Sequence, residues 1–251
     1  MKRSRAILVT IVVSFSFLAF SAHALAGSKR AAKAAYKQGV ERGKAGDFDS
    51  AIMYFKRAVK NDSRYSSAWR DLGLAYQKTG QFSEAAAAYK KALKFNRNSW
   101  SSAQGLGRSY IRMKKGPEAV KALNKAVKLA KKSRKKKDRM ERLESSNSSL
   151  AEAHELAKQY AKAAKIYETM LKKDPSNKFK IRKLAKSHAR AKQWDKAIKA
   201  YTKLTELDKS DRRAWGFIGH CHEKAGNTGE ARKAYRNACD LGDNKACMKA
   251  Q

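Results

Sequence analysis

The chain has 251 residues, and its 58 Lys and Arg against 22 Asp and Glu give a formal net charge of +36. Hydrophobic residues make up 42% and only two prolines interrupt them, so the composition can bury a core and excludes both a disordered chain and a collagen-like fibre. Three cysteines permit at most one intramolecular disulfide, which rules out a cysteine-stapled mini-fold and a four-thiolate zinc site; packing must hold one or two domains together.

The chain opens with the pattern of an export leader. Lys2, Arg3 and Arg5 form a basic start, Ala6 to Phe20 is an apolar run broken only by Thr10, Ser14 and Ser16, and Ala24-Leu25-Ala26 offers a small-x-small cleavage site before Gly27. A cleavable signal peptide over 1–26 is expected. The alternative is an uncleaved anchor, but the run falls short of the ~20 residues that a spanning helix needs. No cysteine near Ala26 could accept lipid, and no later segment is long and apolar enough to cross a bilayer. The expectation is export to the periplasm or cell envelope, with a short segment 27–31 ahead of the folded body.

From residue 32 to 245 a repeat organises the chain. Gly39, Gly73 and Gly107 stand 34 residues apart, and after a 44-residue step Ala151, Ala185 and Gly219 resume the same spacing. Twelve residues beyond each of these comes an alanine: Ala51, Ala85, Ala119, Ala163, Ala197 and Ala231. Four further on lies a large side chain, namely Phe55, Tyr89, Leu123, Tyr167, Tyr201 and Tyr235. Apolar residues recur at three and four spacings in each half with a turn between, which predicts an antiparallel helix pair per unit. The small residues let the two helices cross closely, the large one fills the groove beside them, and stacked units supply the core that no single unit can bury.

These residues resemble the tetratricopeptide repeat family. Trp69, Leu72, Gly73, Tyr76, Gly80, Phe82, Ala85, Tyr89 and Ala92 match its pattern in the second unit, whereas the family proline near the unit end appears only as Pro175 and the third unit carries Leu123 in place of the central aromatic. The resemblance implies an all-α, right-handed superhelical solenoid of about six helix-turn-helix units, with units 1–3 over 32–133 and units 4–6 over 144–245. It also implies an interaction scaffold.

The ten additional residues fall at 134–143. With good helix formers and no glycine or proline, this basic insertion is expected to lengthen the second helix of the third unit; Ser145, Ser146, Asn147 and Ser148 read as the turn that closes it, and Ser149 with Glu152 as a capping box for the next helix.

In proteins of the resembled family the inner wall is lined by first helices and binds partner segments. On this register that wall carries Arg70, Lys78, Arg108, Arg112, Arg182, Lys186, Arg190 and Arg213, with Glu152, Glu155 and Glu223 as its few acidic members. Arg forks and Lys ammonium groups suit carboxylates, so an acidic protein segment is the expected partner; in so basic a chain, part of this lining follows from composition alone. The family mode that grips a C-terminal carboxylate is not carried over, because Leu74 and Arg108 stand where asparagines are needed. Tyr36 and Phe179 could add apolar contacts. A second basic feature is the polyanion patch of Lys131, Lys132, Arg134, Lys135, Lys136, Lys137 and Arg139. In an exported protein it favours anionic lipid, lipopolysaccharide or wall polymer, or a membrane surface, over nucleic acid; the plainer reading is a solvated helix face.

Cys239 and Cys247 flank a segment similar to the Ala-Cys-Asp-Leu-Gly-Asp connection of Sel1-like repeats. That resemblance implies a Cys239–Cys247 disulfide clamping a C-terminal capping helix over 246–251, with Cys221 a buried thiol; a Cys221–Cys239 bridge and three reduced cysteines are the competing readings. His220 and His222 point to nearly opposite sides of a helix and cannot share an ion, so His222, His154 and His188 read as interhelical packing residues. No metalloprotease motif, nucleophile elbow or phosphate-binding loop is present. The expectation is therefore a noncatalytic adaptor with no cofactor or metal, binding an acidic protein partner or, alternatively, an envelope polyanion. Oligomeric state stays open, since Ala35 and Gln38 could leave the first unit's outer face to another chain.

Overall fold

The computed structural model describes residues 28–251, and the leader expected over 1–26 lies outside them. Among the described residues every regular element is a helix: α1 (28–44), α2 (Phe48–Asn61), α3 (Ser66–Lys78), α4 (Phe82–Phe95), α5 (Trp100–Arg112), α6 (Gly116–Lys131), α7 (Lys136–Leu156), α8 (Tyr160–Leu171), α9 (Lys178–Arg190), α10 (Trp194–Leu207), α11 (Arg212–Lys224), α12 (Thr228–Asp240) and α13 (Asn244–Ala250). None is long and apolar enough to cross a membrane. The chain forms two compact units, divided between Ser109 and Tyr110.

In the first unit α3 packs against α2 and α4. The reason lies in the small positions. A Cβ on Gly39 would stand 2.7 Å from the Phe55 ring, one on Gly73 3.0 Å from the Tyr89 ring, and one on Gly105 would collide with the same ring. Glycine thus admits the aromatic, and Ala51, Ala58, Ala85 and Ala92, all fully buried, keep the second helices close.

The second unit runs as a chain of neighbours, with each helix from α6 to α13 packed on the next. Here Ala151 and Ala185 stand at the small position, both fully buried, and only Gly219 needs a bare Cα, 2.7 Å from the Tyr235 ring once a Cβ is added. Helix starts are fixed by side chains: Asn177 accepts from the Lys180 amide at 3.0 Å, Asp211 from Ala214 at 3.1 Å, and Asp243 from Lys245 and Ala246.

The insertion departs from its expected place. α6 stops at Lys131, and the inserted residues from Lys136 onward form the first turns of α7, which at 21 residues is the longest of the helices from α2 to α13. The lengthened helix is therefore the first of the fourth unit and not the second of the third. Residues 145–148 are helical and no turn; Ser146 is fully buried, a small side chain at a helix crossing. Ser149 and Glu152 lie mid-helix, so they form no capping box at a helix start. The break falls at Lys132–Lys135, where like charges at i and i+4 weakly oppose continuation.

Candidate functional site

The exposed faces of the first helices carry the residues singled out from sequence, and each unit presents its own set. In the first unit, α3 shows Arg70, Leu74 and Lys78 along one stripe. Arg70 is half-buried and spoken for: its Nε and Nη2 donate to the Asp71 carboxylate at 2.7 and 2.9 Å, and Asp71 also accepts from the Tyr36 hydroxyl at 2.7 Å. The Asp71 bond holds the guanidinium's pKa above its ordinary value, while burial first and Asp71 second push the Tyr36 phenol up to about 12. Arg70 is thus a structural ion-pair partner and no open fork for a ligand, and Tyr36 is tied to the same carboxylate. Lys78 is exposed, its Nζ 5.9 Å from the Phe48 ring centroid, and Arg108 is exposed.

Between α3 and α5 a glutamine organises the polar contacts. Gln77 donates through Nε2 to the Gly105 carbonyl and to Ser109 Oγ, both at 2.9 Å, and accepts from the Tyr89 hydroxyl at 2.9 Å. The same device recurs in the second unit with carboxylates twelve residues ahead of the tyrosine. Glu155 holds the Tyr167 hydroxyl, Lys183 at 3.4 Å and Ser187 at 3.3 Å. Glu223 accepts from Lys249 of α13 at 2.7 Å and from the Tyr235 hydroxyl at 2.6 Å, and these bonds, Lys249 first, lower its pKa to about 2. Sequence reasoning took Glu155 and Glu223 only as acidic members of the binding wall. The pairing Gln77–Tyr89, Glu155–Tyr167, Glu223–Tyr235 was the signal that they serve packing.

Arg182 requires a similar correction. It bonds Asp211, the side chain that also caps α11, so its guanidinium is committed to joining α9 to α11. Lys178 pairs with Asp208 at 3.1 Å in parallel. What stays available on this face is a smaller set. Lys186 and Arg213 are exposed, and Arg190 is exposed with its guanidinium 5.5 Å from the Tyr160 ring. Two aromatics join them: Phe179, 64% exposed, and Phe217, 45% exposed and stacked on buried Tyr201 at 5.1 Å. Phe217 went unnoticed in the sequence, where it reads as one more core residue of a helical repeat.

The basic patch is split by the helix break. Lys131 ends α6, Lys132, Arg134 and Lys135 lie in the link, and Lys136 and Lys137 open α7, all exposed; Arg139 donates to the Ser133 carbonyl at 3.3 Å. Lys135, at the N-cap of α7, makes no side-chain capping bond.

At the C-terminus a disulfide joins Cys239 of α12 to Cys247 of α13, and Cys221 is a buried free thiol whose pKa burial raises to about 11. His154 and His188 are buried packing residues; burial lowers the pKa of His154. Among the described residues no group of three or more His, Cys, Asp or Glu is placed to hold a metal ion.

Two models described as tetratricopeptide repeat match the chain, one over residues 36–103 and 182–246, more than half of its length, and one over 149–177. No curated protein sequence matches. Among solved structures, the C-terminal part of a tetratricopeptide repeat-containing protein from Cytophaga hutchinsonii superposes with a TM-score of 0.64 at 17% identity, covering 88% of each chain. YrrB, described as a tetratricopeptide protein with an unusual peptide-binding site, gives 0.60 at 17%, covering 78% of this chain and 96% of its own. The PilF protein of Pseudomonas aeruginosa gives 0.53 at 16%, covering 90% and 97%. At these identities the likeness is one of fold.

Proposed function

Because the chain belongs to the tetratricopeptide repeat family, whose members are generally noncatalytic scaffolds for protein–protein interaction, we propose that it is an exported adaptor of the cell envelope whose first helices bind an acidic segment of a partner protein. The observation that carries this reading is the unequal fate of charge on and around the first helices α7, α9 and α11. The carboxylates of Glu155, Asp211 and Glu223 are each bonded to a neighbouring cation and so neutralised within the fold, while Lys186 and Arg213 have no ion-pair partner among the described residues and stand on the same helices as exposed Phe179 and Phe217. A carboxylate arriving there meets cations not already satisfied, and the aromatics offer the apolar anchors that concentrate binding energy in interfaces. The peptide-binding site ascribed to YrrB supports a peptide as the ligand class. The leader pattern supports export.

A second reading has its own observation. Lys131, Lys132, Arg134, Lys135, Lys136 and Lys137 are exposed around the uncapped start of α7, where the positive end of the helix dipole adds to six cations. That favours an envelope polyanion such as anionic lipid, lipopolysaccharide or wall polymer. Binding of this kind falls steeply with salt.

Capture of partners from an envelope fraction by the purified chain, washed at low and high salt, separates the two. The adaptor reading expects a protein that survives the high-salt wash and is lost with K186E/R213E but kept with K135E/K136E/K137E. The reverse pattern of loss, with release by salt, makes polyanion binding the function.

A further inference from the structure

The inserted residues do more than display charge. Leu143, at the end of the insertion, joins Glu144 and Asn147 of α7 in lining a cavity of about 620 Å³ inside the second unit, while Lys136, Lys137, Met140 and Glu141 line the cleft beside it. Its floor is apolar, made by Val127 of α6, Leu143 of α7 and Ile166 and Met170 of α8. A shallower cleft continues from it along α7 past Met140, which is 45% exposed, and shares Glu144 and Lys173 with it.

The rim is cationic: four lysines stand against Glu144, which is ion-paired, and Asp174, whose side-chain partner is a neutral amide. Glu144 accepts from Lys180 at 2.9 Å, and Asp174 accepts from the Asn177 side-chain amide at 2.8 Å. Lys131, Lys165 and Lys173 line the same opening, are exposed, and have no ion-pair partner among the described residues. Apolar floor, unneutralised ammonium rim and a linear extension along one helix are the complement of a single long-chain amphiphile with an anionic head.

We propose that this cavity binds a single-chain anionic amphiphile, its acyl chain over Val127, Leu143, Ile166 and Met170 and its headgroup on Lys131, Lys165 and Lys173. The volume decides between this ligand and an acidic helix. A cavity of this size matches small-molecule sites of roughly 300–1,000 Å³, whereas a helix with side chains is about 10–12 Å across and cannot enter it. Carboxylate and phosphate heads satisfy the ammonium rim alike, so a fatty acid and a lysophosphatidate share the required chemistry. The site does not use Lys186 or Arg213 and stands whether or not the adaptor reading holds; it shares Lys131 with the basic patch, and the demand for an acyl chain over the apolar floor is what distinguishes it from binding of a polyanion there.

The test is titration of the purified chain by calorimetry, below the critical micelle concentration, with palmitate, laurate, lysophosphatidate, lysophosphatidylcholine and an acidic helical peptide. Saturable binding at one site is expected for palmitate, lysophosphatidate or both, and the choice between them identifies the headgroup source. Affinity should fall roughly tenfold for every two methylenes removed. Charge reversal of exposed lysines, K131E/K165E, should weaken binding about tenfold or more while leaving the circular dichroism spectrum unchanged. I166W, which fills the floor, should weaken every chain length, with the helical signal as the folding check. The proposal is overturned by equal affinity for zwitterionic lysophosphatidylcholine, by indifference to both variants in folded protein, by no saturable binding of either anion, or by an acidic peptide that binds and displaces the lipid.

Discussion

Three histidines at equivalent places in α7, α9 and α11 make an internal experiment. His154 Nδ1 meets Gln159 Oε1 at 2.8 Å and His188 Nδ1 meets Gln193 Oε1 at 2.7 Å, each glutamine opening the next helix. The third pair is His222 with Asn227, and there Nδ1 is buried with no hydrogen-bond partner. The backbone is the same in all three, since the amide of the later residue donates to the histidine carbonyl at 2.8, 3.0 and 2.9 Å. The paired side chain is one methylene shorter at the third site, which is what its reach lacks; the preceding turn residue also differs, Gly226 in place of Lys158 and Lys192, and His188 alone meets Glu168 through Nε2, at 3.2 Å. Asn227 makes no side-chain capping bond to α12, so replacing it removes no existing contact. N227Q should therefore stabilise the last repeat. Leaving a buried polar atom unsatisfied costs about 1–3 kcal/mol and a made hydrogen bond nets about 0.5–1.5, so a gain of about 1 kcal/mol is expected. Because repeat arrays can open unit by unit, the sharpest assay is native-state hydrogen exchange, in which amides of α11 and α12 should gain roughly fivefold protection. Q193N should lose a similar amount in α9 and α10. No gain from the first together with no loss from the second would refute the reasoning, because the paired geometry would then carry no energy.

Two further outcomes follow from backbone and charge. The turn inside each helix pair needs a left-handed residue, met by Gly46, Gly80 and Gly226 at φ of 80 to 85° but by Lys114, Lys158 and Lys192 at 57°. A side chain there costs about 1–2 kcal/mol and glycine gives back about 0.5–1 in unfolded-state entropy, so each Lys→Gly change should raise stability by about 0.5–1 kcal/mol, seen as a higher urea midpoint. For Glu223 the folded pKa is lowered, so its contribution is complete above the ordinary carboxyl value and is lost as pH falls from about 4.5 toward about 2. K249A should move the Glu223 titration, followed by NMR, back up toward the ordinary value, with only a modest stability change because the group is solvent-screened.

The repeat was legible because it is enforced by close packing at a fixed spacing: a glycine or alanine that admits an aromatic ring leaves an unmistakable mark at Gly39, Gly73 and Gly219. Placement of the insertion was not. Lys131 to Lys137 hold no glycine or proline, and like charges at i and i+4 add only about 0.2–0.5 kcal/mol, as Lys121 and Lys125 do inside α6 without breaking it; what remains is the packing of α7 on α6, a tertiary demand. Turn chemistry at Ser145–Ser148 lost to the same demand, with small side chains serving helix contact. On the site, charge type could be read but charge partnership could not. Arg70 pairs with an adjacent residue and Arg182 with one 29 positions away, and both look identical in sequence to Lys186, which is unpaired. Phe217 is exposed and stacks on Tyr201, which fills the buried position, a division of roles that two aromatics in a repeat do not reveal from sequence.

The central claim is that the first-helix face, and specifically the unpaired cations of α9 and α11, meets the partner. Site-specific photocrosslinking in the producing cell tests it most directly, with a photoreactive residue replacing Lys186 on α9, Lys203 on the second helix α10, or Lys136 in the insertion; all three positions are exposed. A discrete protein adduct from position 186, absent from 203 and 136, is expected. Protein adducts from position 203, or adducts from 136 alone, would contradict it.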